Sequence, residues 1–153
     1  MNHRALIQPG DLDAGTRLPC QSRTITQEQL NRYSRVSGDQ NPLHLDPDFA
    51  ATTQFGGIIA HGMLTLALVS EMLVAAFGKS WLETGGLKVR FKGAAYVGEN
   101  LETWGRVEKI AARDQAAELV CAVGVCMRDR ASGLDREIIT GTATLTLSCL
   151  RDS

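Results

Sequence analysis

Along this chain one run, His61–Phe77 (HGMLTLALVSEMLVAAF), is apolar at almost every position, and four segments with alternating apolar and polar residues follow it. A helix that is apolar all round must be wrapped by other structure, whereas alternation with period two marks strands with one face on a core. The strands are expected at about Leu87–Val97, Leu101–Ile110, Ala117–Met127 and Ile138–Ser148, divided by turn-rich stretches such as Gly98-Glu99-Asn100 and Arg130-Ala131-Ser132-Gly133. Odd positions carry the bulk, as in Leu119, Cys121, Val123 and Val125. The order predicts an antiparallel meander curled around a buried helix, an α+β domain over residues 1–153. An outer strand edge would be left unpaired, so a homodimer joined edge to edge is the physical expectation.

Upstream the pattern is shorter and more polar. Gln8-Pro9-Gly10-Asp11 reads as a turn, and Thr16–Ile25 as a first strand with weak alternation. Thr26-Gln27-Glu28-Gln29 is a capping box, in which Thr and Gln satisfy each other's free backbone donors at a helix start. Leu30, Tyr33 and Ser37 then share a face, and Gly38 ends the helix. Asp46-Pro47 starts another short helix, with Asp as N-cap and Pro at the first helical position. Between these helices Asp39, Asn41, Pro42 and His44 lie on a segment that Pro42 keeps from continuing as a helix. A carboxylate and an imidazole on such a bent loop can converge on one volume, as general acid/base chemistry on a single water requires, although spacing alone does not bring them together.

With 153 residues, 44% of them hydrophobic, and a net charge of -1, the chain has the bulk of one globular domain and no charge footprint for nucleic acid or an anionic membrane. Cys20, Cys121, Cys126 and Cys149 form no C-x-x-C pair, and strand parity sets Cys121 and Cys126 on opposite faces, so reduced thiols are expected rather than zinc or disulfides. The first residues lack the apolar core of a secretory signal, and the roughly 17 residues of His61–Phe77 fall at the short limit of a membrane span, so a cytoplasmic protein is expected.

The segment Tyr33, Ser37, Gly38, Asp39, Asn41, Pro42, His44, Asp46, Pro47, Phe49, Ala50, continued by Ala60-His61-Gly62-Met63, resembles the MaoC-like (R)-specific enoyl-CoA hydratases of the hotdog fold, the hydratase 2 group. The resemblance runs more loosely through Leu87–Phe91 and Val97-Gly98-Glu99, and so covers most of the chain. It implies a hotdog domain, an acyl-CoA or acyl carrier protein thioester as substrate, and no cofactor. It further implies that Asp39 and His44 activate a water, that Asn41 orients them, that the Gly62 N–H is the oxyanion donor, and that Ser70 assists from the central helix.

Each residue also has a plainer reading. Asp39 alone would be a turn or cap residue, His44 a hydrogen-bonded structural histidine, and Ser70 a back-bonding helix serine. His61 reads as structural or as a rim residue. Lys88, Arg90 and Lys92 alternate on one strand face, which is expected to be solvated rather than to hold coenzyme A phosphates. A metal held by Asp39, His44, Asp46 and Asp48 is disfavoured because Asp46 serves as an N-cap. Two competing functions remain: an acyl-CoA thioesterase using Glu71, and a non-catalytic thioester-binding subunit, which the retention of both Asp39 and His44 argues against.

Overall fold

The structure, a computed structural model, describes residue 7, residues 9–113 and residues 115–148. Gln8 of the expected N-terminal turn and Cys149 lie outside them; from Pro9 to Asp11 the chain makes a single 3-10 turn. The elements then follow as β1 (Ser22–Thr24), α1 (Gln27–Ser37), a 3-10 turn at Pro42–His44, α2 (Pro47–Thr52), α3 (Gly62–Phe77), α4 (Lys79–Thr84), β2 (Gly86–Phe91), β3 (Asn100–Arg113), β4 (Ala116–Arg128) and β5 (Asp135–Ser148). All strand pairs are antiparallel, in the order β1-β3-β4-β5-β2.

Local chemistry sets the helix ends as anticipated. Thr26 and Gln29 form the complete capping box, Gly38 closes α1 with φ 78°, and the Asp46 carboxylate accepts from the N–H groups of Asp48 and Phe49. α3 packs on the sheet through Leu68, Val69, Met72, Leu73 and Ala76, which meet the inward residues of β3, β4 and β5, among them Val107, Leu119, Cys121, Val123, Val125 and Ala143. Each large side chain buried there contributes about 1.5–3 kcal/mol of transfer free energy. Burial also pushes the Cys121 thiol up to about 11, so it behaves as a small core residue. Cys126 pairs with Glu102 and Cys121 with Val107, which keeps the two cysteines on opposite faces.

Three expectations need correction. The first strand shrinks to Ser22–Thr24 plus one bridge between Arg17 and Arg106, because Pro19 interrupts the donors that would continue the ladder. Only β3, β4 and β5 form a meander; β2 pairs with β5 at the far edge. It stops at Phe91 because the next residues cross the molecule, tied to Ile59 and Ala60 through Tyr96 and Ala95 and to Ile25 through Gly98 and Glu99. The central helix, finally, is covered on one side only: Met63 is 60% exposed and, with Gly62, Ala67 and Glu71, forms an uncovered stripe. Phe91 and Leu82 are exposed as well. The sequence also gave no sign of α4, where the chain turns at Gly78 and helix resumes to bury Trp81.

No helix among the described residues is long and apolar enough to cross a membrane.

Candidate active site

The loop between α1 and α2 is built by its own short-range hydrogen bonds. Ser37 Oγ accepts from the Asp39 N–H, Asp39 Oδ1 accepts from the Asn41 N–H at 3.2 Å, and Asn41 Oδ1 accepts from the Leu43 N–H at 3.0 Å. Asn41 therefore orients the Asp39 carboxylate through its main chain, while its side chain caps the 3-10 turn that carries His44. Asp39 remains exposed and His44 is buried.

Two imidazoles meet behind this loop. The His44 and His61 rings stack with centroids 3.9 Å apart and planes inclined by 30°, and Tyr33 packs on His61 from α1 at 4.8 Å. Their protonation follows from their partners, since a carbonyl oxygen can only accept. His44 Nδ1 lies 2.7 Å from the Ile59 carbonyl, so Nδ1 carries the proton and Nε2 offers a lone pair. His61 Nε2 lies 3.1 Å from the Asp39 carbonyl, so the proton is on Nε2, and Nδ1 is a buried acceptor without a hydrogen-bond partner among the described residues. The two histidines thus hold opposite tautomers.

A carboxylate oxygen of Asp39 and one ring nitrogen from each histidine lie within 4.8 Å of one another. One water making two hydrogen bonds of about 2.8 Å bridges such a gap. By residue type the trio also resembles a metal set. Imidazole lone pairs lie in the ring plane, however, and an ion about 2.1 Å from a nitrogen of one stacked ring stands well out of the plane of the other, which argues against a shared ion.

Beside His44 opens a cleft of about 350 Å³ lined by Phe55, Ile59, Gly62, Thr65, Phe91 and the crossing segment Lys92–Ala95. Gly62 is the first residue of α3, so its N–H has no intrahelical acceptor and points from the positive end of the helix. A side chain there would come within 3.2 Å of the Phe91 ring. Arg136 holds the crossing segment by a bidentate pair with Glu99 at 2.6 and 2.7 Å and a bond to the Ala94 carbonyl.

His44 and Gly62 thus share the cleft, while Asp39, with Asn41 bound to it, stands beside His44 without lining the cleft. Ser70 is not: its hydroxyl accepts from the Trp81 indole N–H at 2.9 Å, and it does not line the cleft. Glu71 is paired bidentately with Arg23 at 2.8 and 3.0 Å, beside a separate hollow. Lys88 and Arg90 are exposed on the outer side of β2, whereas Lys92 reaches the cleft. His61 is the residue whose part the sequence reading underrated. Its signal was its place between Ala60 and Gly62 in the same motif.

Burial first of all lowers the His61 pKa from the ordinary 6.5; the bond to the Asp39 carbonyl opposes this, nearby His44 adds to it, and the Asp39 charge opposes it. The unfolded chain therefore binds a proton that the folded one refuses as the pH falls below 6.5. The His61 contribution to stability is full above that pH and is lost on going down toward the folded pKa. Urea melts from pH 7.5 to 5 are expected to show this loss in the wild type and a shallower one in His61→Phe.

Comparison with known proteins accords with this geometry. The family model described as MaoC like domain matches residues 14–126. The chain belongs to the MaoC-like domain family. A 3-hydroxyacyl-thioester dehydratase Z of Mycobacterium tuberculosis is 39% identical over 82 residues, 51% of this chain and 54% of that protein. An (R)-specific enoyl-CoA hydratase of Aeromonas caviae is 38% identical over 80 residues, 52% of this chain and 51% of that one. The chain thus spans about half the length of these curated relatives. Among solved structures, an unliganded R-hydratase of Pseudomonas aeruginosa superimposes with TM-score 0.73 at 27% identity, covering 94% of this chain and 90% of that one. The A. caviae (R)-hydratase involved in PHA biosynthesis gives 0.71 at 28%, covering 89% and 97%. The MaoC-like domain seen here is accordingly a hotdog fold, an antiparallel sheet against one long helix.

Proposed function

We propose that this MaoC-like protein is a hydro-lyase that adds water reversibly to trans-2-enoyl thioesters, giving (R)-3-hydroxyacyl thioesters. The observation that carries the reading is the His44 tautomer: Nδ1–H is bound to the Ile59 carbonyl, which leaves Nε2 a lone pair, and a His44 ring nitrogen lies within 4.8 Å of an Asp39 carboxylate oxygen. In this reading Asp39 and His44 hold one water, whose oxygen attacks C3. Its proton passes to the pair, and a proton from the pair reaches C2. The Gly62 N–H donates to the thioester oxygen as charge builds there, an interaction whose loss in other enzymes costs about 10²–10³ in rate. Reversal eliminates water from the 3-hydroxyacyl thioester. The relatives named as hydratase and dehydratase support the two directions of this one reaction.

The test is a spectrophotometric assay with crotonyl-CoA and longer enoyl-CoAs, read as loss of enoyl absorbance beside free-thiol release, with chiral analysis of the product. Hydration to the (R) product is expected. Thiol release that survives Asp39→Asn and fails in Glu71→Gln would replace the reading with a thioesterase, and tight binding without turnover with a binding subunit.

Ser70 enters this reading as the acceptor that fixes Trp81 between α3 and α4. Ser70→Ala would leave the buried indole N–H unsatisfied, and a loss of about 1–3 kcal/mol is expected in thermal or urea unfolding. A homodimer belongs to the same proposal. β2 lies at the edge of the sheet and Met63, Leu82 and Phe91 are exposed, and a second copy is proposed to cover them. Sedimentation showing a compact monomer at micromolar concentration would remove it.

A further inference from the structure

We infer that His61 is a positioning residue for the Asp39/His44 pair, acting as a permanent Nε2–H donor that fixes the Asp39 main chain while its ring backs His44. The inference rests on the hydratase reading for its kinetic consequence, but not for its tautomer. The other bonds of Asp39, to Ser37 and Asn41, stay within the loop, which is tied to the rest of the molecule elsewhere, through His44 to Ile59 and Gln27. The His61 bond to the Asp39 carbonyl is what ties it to the start of α3. The same imidazole, 1% exposed, lies against the His44 face, and Tyr33 packs on the His61 ring in turn. One side chain therefore registers the carboxylate, the base and, being the residue before it, the Gly62 N–H.

The alternatives are weaker. If the imidazole only filled space, its Nε2 would have no reason to meet a carbonyl and its Nδ1 would not be left as a buried lone pair, an arrangement that costs stability. If it exchanged protons in the reaction, it would have to gain a proton on Nδ1 while buried beside His44; the groups facing it are Asp39, His44 and Tyr33, and burial together with His44 opposes that charge. A donor that stays neutral through the reaction satisfies both. Its bare Nδ1 is of a kind that one buried water fills.

The experiment joins kinetics to nitrogen NMR on the full chain. His61→Gln keeps an amide donor at the reach of Nε2, whereas His61→Phe keeps the ring and loses the donor. With crotonyl-CoA, His61→Phe is expected to lower kcat by about 10²-fold, the scale of an ångström of misplacement, with KM little changed. His61→Gln is expected to recover most of that loss. Equal losses in both variants, or full activity in His61→Phe, would overturn the inference. Long-range proton–nitrogen correlation on the wild type, which needs neither activity nor a folded variant, is expected to show His61 as the neutral Nε2–H form and His44 as the Nδ1–H form at pH 7. An imidazolium or Nδ1–H signal for His61 would also overturn it. If the wild type hydrates nothing yet shows these tautomers, the reaction assignment has failed and the positioning geometry stands.

Discussion

Asp39→Asn and His44→Ala are each expected to lower kcat for enoyl-CoA hydration by roughly 10²–10⁴-fold, the first with little change in the melting temperature. Asn preserves the shape of Asp39 and its acceptor for the Asn41 N–H, so the loop has no reason to move. What disappears is the negative charge and basicity of the carboxylate, on which the proposed reaction depends. Ala at position 44 removes the imidazole that carries a lone pair because its other nitrogen is bound to the Ile59 carbonyl. If both groups act on one water, as proposed, the double variant is expected to be barely slower than the worse single one. Losses that simply multiply would contradict a common water. Glu71→Gln, which affects only the pair with Arg23, is expected to leave the rate nearly unchanged.

Gly141→Ala is expected to destabilise the fold strongly. A methyl group there would run into the Lys88 carbonyl and come within 2.7 Å of Val89 Cγ1, on the strand that Gly141 must pair with. Backbone atoms of a paired strand cannot swing aside as the end of a flexible side chain can. The expected cost is about 1–3 kcal/mol or more, and for a chain of this size about 2–4 °C in Tm per kcal/mol. Because the clash falls on β2, amide exchange is expected to rise first in Gly86–Phe91, and activity to fall with it through Phe91, which faces Gly62 across the cleft. Uniform exchange with β2 still protected would show that the sheet absorbs the methyl elsewhere.

Features encoded by neighbouring residues were readable in the sequence. The Thr26–Gln29 box, the Gly38 stop, the Asp46-Pro47 start and the inward odd positions of β4 each depend on a few adjacent side chains. The Asp39–His44 segment was readable for the same reason. The position of β2 was not, because Leu87 and Val89 would alternate identically beside β3 or beside β5; the choice is made by the crossing at Lys92–Glu99, whose ties to Ile59, Ala60 and Ile25 are distant in the chain. The stacking of His61 on His44 and the Trp81 bond to Ser70 are likewise tertiary. The spacing of Gly62 and Ser70 correctly placed both on α3, but along a helix eight residues separate two sites by about 12 Å.

The pairing of β2 with the C-terminal strand also bears on the order in which the molecule can be made. As the chain leaves the ribosome, the Asp39–His44 loop and α3 emerge early, and Phe91 follows them soon after. Its partner Ile139 is still to be translated. At about 5–20 residues per second this leaves β2 waiting for seconds, with Leu87, Val89 and Phe91 unclaimed. A nascent chain stopped before Asp135 would hold Asp39, His44, His61 and Gly62 and lack the strand that fastens the cleft's Phe91 wall. Chaperone demand, and the yield of truncated forms, should therefore be set by the last fourteen-residue strand, Asp135–Ser148, rather than by the segment that carries the chemistry.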